Sequence, residues 1–556
     1  MKLLRIKISS EFSSLQEGFE LHFRDPFKEG RDTNEDWQQF HPFCFAGLNG
    51  SGKSNVLEAL SGIFYHLESC ANVNQPENFK ERFKSQEGKP DAYELAYYIK
   101  PKTEKGEYQI ENMVLVMVTK KKDESPEMKW QPYPFEGEKM RDVEIVSKEK
   151  ATIPAPGKNY LPDLIIAYSS GENEILSIPF LKTRLVHFDE YKEAIAGNID
   201  YEKPESNMVY IDYEMSQAVL LSNYMFQDKE SVLKPLDKYL DILDIKRFRM
   251  NLNIGHQLEK QPILKQFEKT LQKFKNCGTV RFDNGKKLLL DFWVNDDTKE
   301  AFRKNFKGGI YELFQAFQVL YTLNYRTADY GAKSEVYGSQ GYYTHGKINM
   351  PGPLDKTFYF LDYYIQKRMK GTGEIKELLL KQLSDGEQQF LHSLGICLML
   401  KSKSALLLLD EPETHFNPDW RSKFISTLKK SLEVTGSNDI GRDILITSHS
   451  PFIISDCLPD KVIYFRRKKE NQKEVEGISA RELNFKSFGA SVDIILEVLF
   501  GKRQSIGNLA RTKLQYDLKQ VKTKADVDAI KEQVSDMGES IEKDLLLASL
   551  NQLNLQ

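Results

Sequence analysis

The segment Gly47-Leu48-Asn49-Gly50-Ser51-Gly52-Lys53-Ser54 fits GxxxxGK[ST], a spacing suited to cradling a chain of phosphates. Its glycines let the backbone N–H groups of residues 49–54 converge on the α- and β-phosphates, and a helix starting behind them adds partial positive charge. Lys53 would neutralise the β- and γ-phosphates and Ser54 would offer its hydroxyl to Mg2+, so Gly47, Asn49, Gly50, Ser51, Gly52, Lys53, Ser54 and Asn55 form the candidate ATP-binding set. Much later, an apolar run at 405–409 ends in Asp410 and Glu411. The first carboxylate can hold the magnesium through water, and the second can polarise an attacking water. Another apolar run, at 444–447, leads to His449, placed to sense the γ-phosphate. The expectation is a hydrolytic site using ATP and Mg2+, with Lys53, Glu411 and His449 as catalytic groups and Ser54 and Asp410 as metal ligands.

Each of these residues needs an element to carry it. The apolar run at 43–46 reads as a strand stopping at glycine. From Ser54 the pattern becomes Val56, Leu57, Leu60, Ile63, Phe64 and Leu67, a helical stripe that puts Glu58 and His66 on other faces. Strand-like alternation marks 3–8, 19–23 and 92–118, whereas 120–150 is charged and proline-containing and reads as a surface excursion. A buried strand is expected at 161–170. Between about 181 and 375 the periodicity is mixed, with helical stretches near 229–242, 257–276 and 309–323 and a strand at 247–254. No heptad pattern lasts three repeats there, so an inserted domain without a long coiled coil is expected. After 375 come a helix (388–400), a strand (405–410), a helix (418–434), a strand (444–449) and a helical tail from about 481. This alternation predicts an α/β fold. The boundaries are 1–180 for a first ATPase lobe, 181–374 for a mixed α/β insert, 375–480 for a second lobe and 481–556 for a helical partner or dimer region.

Composition narrows the class. The 556 residues carry 78 Lys+Arg against 81 Asp+Glu, a net charge of −3, which excludes a purely electrostatic role. At 40% hydrophobic and 11% aromatic the chain can build packed cores, which excludes global disorder. Cys44, Cys70, Cys277, Cys397 and Cys457 are scattered without CxxC spacing, so free buried thiols are expected and neither a disulfide framework nor a zinc site. With no apolar run near the roughly 20 residues that cross a bilayer, and an N-terminus that turns polar early, a cytoplasmic location without membrane association is expected.

Leu383-Ser384-Asp385-Gly386-Glu387 lies just before a helical stretch and begins its Ser384 26 residues ahead of Asp410. Alone it reads as a capped helix start, with Ser384 as N-cap and Glu387 three residues on, and its distance from Asp410 sets it apart. Together with Asp410-Glu411-Pro412-Glu413, His415-Phe416-Asn417-Pro418 and the His449 strand, it resembles the ABC-type ATPases of the SMC/RecF/OLD group, over about 1–180 and 375–465. The resemblance implies a RecF- or SMC-head-like P-loop ATPase that works when two copies sandwich two nucleotides. Ser384, Gly386 and Glu387 would then contact, in trans, the γ-phosphate at the other copy's Lys53. The group places a glutamine loop in the first lobe; Ser169-Ser170-Gly171-Glu172-Asn173-Glu174 reads as part of that coupling region or as a plain turn.

Within the group, OLD proteins carry a Toprim nuclease. Glu476-Gly477 and Asp526-Val527-Asp528 superficially fit, but their neighbours predict a loop and a helix start, and no tight His/Asn cluster suggests an HNH nuclease. The phrases FAGLNGSGKSNVLEAL, YSSGENEILS, LKQLSDGEQQFLH and SFGASVDIILEVLFG resemble the PtuA-type ATPases of Septu and Septu-carrying retron anti-phage systems, also called restriction-system-associated ATPases. That resemblance implies a sensing or regulatory subunit, homodimeric or larger, beside a separate HNH nuclease. The alternatives are a RecF-like DNA repair ATPase and an OLD-like nuclease with a degenerate Toprim domain. Nucleic acid, DNA or RNA, is a possible partner: Tyr330, Tyr337, Tyr342 and Tyr343 with Arg326, Lys333 and Lys347 could stack on bases or form a packed loop. Lys260, Lys265, Lys269, Lys273 and Lys275 read as a basic helix that could follow phosphates or simply face water. Stripes at Ile506, Leu509, Leu514 and Leu518, then Ile541, Leu545, Leu546, Leu550 and Leu553, could bind a partner or pack back on the ATPase lobe.

Overall fold

Apolar runs far apart in sequence become neighbours in one seven-stranded sheet. The computed structural model describes the chain except residues 28–39, 107, 136–138, 149–150, 172, 231, 340–344, 401–402, 434–440, 469–472, 503–505, 522, 536 and 553–556. The elements that position the site are β1 (Phe43–Gly47), α1 (Lys53–Ala71), β2 (Leu164–Ser169), α2 (Glu174–Gly197), β3 (Met208–Tyr210), α3 (Asp385–Met399), β4 (Ala405–Asp410), α4 (Pro418–Glu433), β5 (Arg442–Thr447), β6 (Val462–Arg467) and β7 (Val475–Ser479). The sheet order is β7-β6-β1-β5-β4-β2-β3, parallel except for β7 at one edge. Every residue of β1, β4 and β5 is buried, as expected for parallel strands covered on both faces. The sheet takes β3 from residues 208–210, and α2 runs across position 180.

A second, antiparallel sheet has six strands in the order Glu20–His22, Lys2–Ile8, Tyr93–Ile99, Val114–Lys120, Glu127–Pro132 and Arg141–Val143. The charged stretch at 120–150 therefore contributes two strands rather than only a surface excursion. Leu3, Ile6 and Val116 of this sheet share one hydrophobic core with Val56, Leu60 and Phe64 of α1 and with Phe45, Leu406 and Leu445 of the parallel sheet. Arg24 adds a buried ionic tie, its two terminal nitrogens 2.8 and 2.9 Å from Asp443 of β5. Covered from both sides, α1 is buried around most of its circumference, so Glu58 and His66, on faces outside the apolar stripe, are buried as well.

Residues 242–379 form a five-stranded antiparallel sheet, in the order Val280–Asp283, Leu288–Trp293, Ile242–Leu252, Phe358–Arg368 and Ile375–Leu379. The strand expected at 247–254 is the second half of Ile242–Leu252, and the helix expected at 309–323 spans Ile310–Thr322. The helix expected at 257–276 is shorter. Glu259 and Lys260 both have positive φ and turn a small hairpin between Gln257–Leu258 and Gln261–Pro262, so the α-helix begins only at Glu268.

The chain divides into compact units at Met1–Phe488 and Gly489–Gln556. The second contains helices Val492–Phe500, Asn508–Gln520, Lys524–Ser535 and Ile541–Gln552. Leu514, Val527, Ile530, Val534, Leu546 and Leu550 make its own core, whereas Leu509, Ile541 and Leu545 of the expected stripes are exposed. Leu553 and the Leu518 side chain lie outside the described residues. Among the described residues no helix is long and apolar enough to cross a membrane. All five cysteines are buried and none is in a disulfide.

Candidate nucleotide site

The site collects at the carboxyl ends of the parallel strands, where open α/β sheets place ligands. In register, Asp410 at the end of β4 faces Thr447 of β5 on one side and Ser169 of β2 on the other. Next to β5, β1 ends at Gly47 and the chain turns through 48–52 into α1. Gly47 adopts φ +148°, and a Cβ there would collide with the Phe465 carbonyl oxygen of β6. Gly52, at φ +94°, is the N-cap of α1 and gives it no side-chain cap.

The loop is arranged to receive an anion. The first turn of α1 contains no acid, its leading N–H groups lack a capping side chain, and the Ser51 hydroxyl is buried without a partner. Lys53 is buried and folds over its own loop, donating to the Gly47 and Leu48 carbonyls at 3.0 and 3.1 Å. Burial lowers the pKa of its ammonium, and Glu411 and Asp410 act against that. Asn49 and Gly50 are exposed at the loop tip, while Asn55 accepts from Ser14 and donates to Glu58 at 2.6 Å.

Hard oxygen ligands converge beside it. Asp410 Oδ1 accepts from Ser54 Oγ at 2.8 Å and from Thr447 Oγ1 at 2.6 Å, and its Oδ2 accepts from Asn173 Nδ2 at 2.8 Å. Hydroxyl and carboxylate oxygens meeting at one point suit Mg2+, which takes few protein ligands and keeps water and phosphate for the rest. Sequence spacing does not mark Asn173 as a site residue beyond its place in the 169–174 stretch. The structure makes it the N-cap of α2 and lets its amide reach Glu58 at 3.2 Å as well as Asp410. Glu172 lies outside the described residues.

Glu411 has an unusual backbone, φ +47°, held by its N–H donating to the Thr447 carbonyl at 3.2 Å and hydroxyl at 3.0 Å. That turn aims its half-exposed carboxylate at His449, Nε2 to Oε1 3.0 Å. The bond from His449 holds the carboxyl below its usual range against the opposing effect of burial. Two residues on, Glu413 is buried; it accepts from Ser448 through one oxygen while the other has no partner, and burial pushes its pKa up to about 7.

Ser384, Gly386 and Glu387 open α3. Ser384 caps the helix in a reciprocal box with Glu387, whose carboxylate takes the Ser384 N–H at 2.9 Å and Lys367 at 2.9 Å. Burial raises the Glu387 pKa, but these bonds outweigh it and lower the value overall. A Cβ on Gly386 would come 2.8 Å from the His415 carbonyl, so the helix start rests directly on the loop after β4. Ser384 to Glu387 line an open hollow with His415, Asn417 and Trp420, none of which belongs to the phosphate loop.

The other surfaces suggested by sequence are differently disposed. Tyr337 and Lys333 are buried on Asp189, Tyr330 donates to Glu81, and Arg326 and Lys347 pair with Asp355 and Glu335; Tyr342 and Tyr343 lie outside the described residues. Lys269, Lys273 and Lys275 pair with Asp200, Glu312 and Glu268, so the stretch is not a row of unmatched cations. Glu476 sits in β7 bonded to Arg466 at 2.7 Å, not in a loop, and Asp526 is in the first turn of its helix.

The family model described as AAA domain, putative AbiEii toxin, Type IV TA system matches residues 282–455, which include Ser384, Asp410, Glu411 and His449. No curated protein matches the chain. The match supports a P-loop ATPase of the AAA/ABC type.

Proposed function

We propose that this chain binds and hydrolyses ATP at a composite site, one half on each of two copies, and acts as the sensing or regulatory subunit of an anti-phage complex whose nuclease is a separate HNH protein. The observation carrying the ATPase part is the meeting of Ser54, Asp410, Thr447 and Asn173 beside the Gly47–Ser54 loop, with Glu411 and His449 at its edge. The family match at 282–455 supports that part, and the defence role and partner rest on the resemblance of the sequence phrases.

Bound Mg2+ would be held through Ser54 and Asp410 and would supply charge neutralisation across the β- and γ-phosphates. Lys53 would exchange its two carbonyl acceptors for phosphate oxygens, a gain in charge-assisted bonding within a buried loop. Glu411, ionised and anchored through its backbone, orients and polarises the attacking water. His449 holds that carboxylate in place and stands ready to donate toward the γ-phosphate. The hollow at the α3 start takes no residue from its own phosphate loop, and this supports the reading that Ser384, Gly386 and Glu387 meet a nucleotide on the second copy.

Glu411→Gln keeps shape and bonding capacity but removes the base. Its turnover is expected to fall by about 10²-fold or more with ATP affinity retained, and ATP should trap a dimer visible by light scattering. Unchanged turnover would remove Glu411 from its role. Purifying the same variant from its native host with neighbouring genes tests the complex: a stoichiometric small HNH protein is expected, and nucleic acid alone would favour the repair ATPase.

A further inference from the structure

Behind the nucleotide site, on the other side of Glu58, lies a cavity of about 380 Å³ between α1, α2 and residues 79–91. Its volume is that of a small-molecule pocket. Aromatic rings line it: Tyr65 from α1, and Phe79 stacked on Phe83 with centroids 4.9 Å apart. Two of its cations rest on neutral groups. Lys182 of α2 donates to the Ser339 carbonyl at 2.7 Å and lies 5.7 Å from the Tyr65 ring, and Arg82 donates to the Ser334 hydroxyl at 2.7 Å. Among the described residues no carboxylate forms an ion pair with either, whereas Lys84 and Lys89 on the same rim are matched by Glu87 and Asp91. Burial lowers the Lys182 pKa to about 8, the cost of holding a cation there without an anion. The ring of His66, also in the wall, has a buried Nδ1 without a partner.

Glu58 joins this cavity to the nucleotide cluster. It lines the cavity while its carboxylate accepts from Asn55 beside Ser54 and from Asn173, the residue that also holds Asp410. We propose that the cavity binds a small organic anion bearing an aromatic ring, the anion on Lys182 and Arg82 and the ring against Tyr65 and Phe83, and that its occupancy changes nucleotide affinity through Glu58. The binding half stands apart from the ATPase reading; the coupling half rests on it.

Isothermal titration of the full chain with AMP, UMP and 4-hydroxybenzoate separates phosphate from carboxylate ligands. Saturable binding of at least one probe is expected, preserved in Lys53→Ala and weakened about tenfold or more in Lys182→Met. Arg82→Ala, at the exposed mouth, should weaken it in the same direction and decides the matter if Lys182→Met does not fold. No saturable binding of any probe at millimolar concentration overturns the proposal, as does binding lost in Lys53→Ala but kept in Lys182→Met, which would place the ligand on the phosphate loop. With a bound probe, ATP affinity should change about fivefold or more, and Glu58→Gln should abolish the change. An unaltered ATP affinity in the presence of a bound probe overturns the coupling alone.

Discussion

Glu411 and Glu413 are two residues apart and their surroundings drive them in opposite directions. Glu411 is half exposed, and the His449 bond keeps it ionised, the state a water-polarising base needs. Glu413 is buried with one oxygen unpartnered, and desolvation favours its neutral form until about pH 7. The consequence for stability has a definite sign. Below the ordinary carboxylate range both folded and unfolded chains keep the Glu413 proton, and the group contributes nothing. Between about pH 4.5 and 7 the unfolded chain releases that proton while the folded chain holds it, so stability falls as pH rises. The loss from this one group is on the order of 3 kcal/mol once the pH exceeds 7. Urea unfolding without nucleotide or metal, followed by tryptophan fluorescence, reads the right unit, because all four tryptophans lie within residues 1–488. Relative to Glu413→Gln, wild type should lose stability from pH 5 to pH 8, the comparison cancelling Glu190, His66, His187 and His392, whose shifts also act in this range. Equal slopes in the two proteins would mean that Glu413 is already ionised in the folded protein.

At the scale of elements, β1 ends where it does because Gly47 passes against the Phe465 carbonyl of β6. Gly47→Ala puts a methyl group on that oxygen at a φ that side chains rarely adopt, so either the strand pair or the phosphate loop must shift. A destabilisation of about 1–3 kcal/mol is expected from the backbone alone, together with loss of ATP binding in a fluorescent-nucleotide titration. ATP binding at wild-type affinity would show that the loop tolerates displacement. Legibility in the sequence followed the range of the contacts. Phosphate-loop, β4 and β5 residues were legible because each is a contiguous run whose end carries the polar group. Asn173 was not, since it reaches Asp410 only because β2 and β4, far apart in sequence, lie side by side with Ser169 paired to Asp410. The burial of Glu58 and His66 is not legible, because periodicity on α1 reports one apolar stripe and not the second sheet that covers the rest. For the cations and tyrosines of the insert the sequence leaves a contact surface and a packed loop both open, because the acidic partners that decide it, Asp189, Asp200 and Glu312, are distant in sequence.

For the whole molecule, the arrangement of α3 decides how many copies make one working site. Ser384, Gly386 and Glu387 bond to their own helix, to Lys367 and against His415, and the hollow they line holds no residue of the phosphate loop. If a second copy completes the site, two different lesions should rescue each other. Lys53→Ala removes the loop's cation and Ser384→Arg blocks the α3 start, so each variant alone should be inactive. In a mixed dimer, the Ser384→Arg copy's intact phosphate loop meets the Lys53→Ala copy's intact α3, and one of the two sites is whole. Random exchange of equal amounts should therefore restore about a quarter of wild-type turnover, half the dimers being mixed with one working site each, as two-fold symmetry requires. Turnover at the level of the separate variants, with mixed dimers demonstrated by differential tagging, would mean that each chain completes its own site or that one damaged site silences its neighbour. Where turnover is restored, Glu411→Gln checks which site carries it: added to the Lys53→Ala copy it lies in the already dead site and should change nothing, whereas added to the Ser384→Arg copy it should abolish the restored activity.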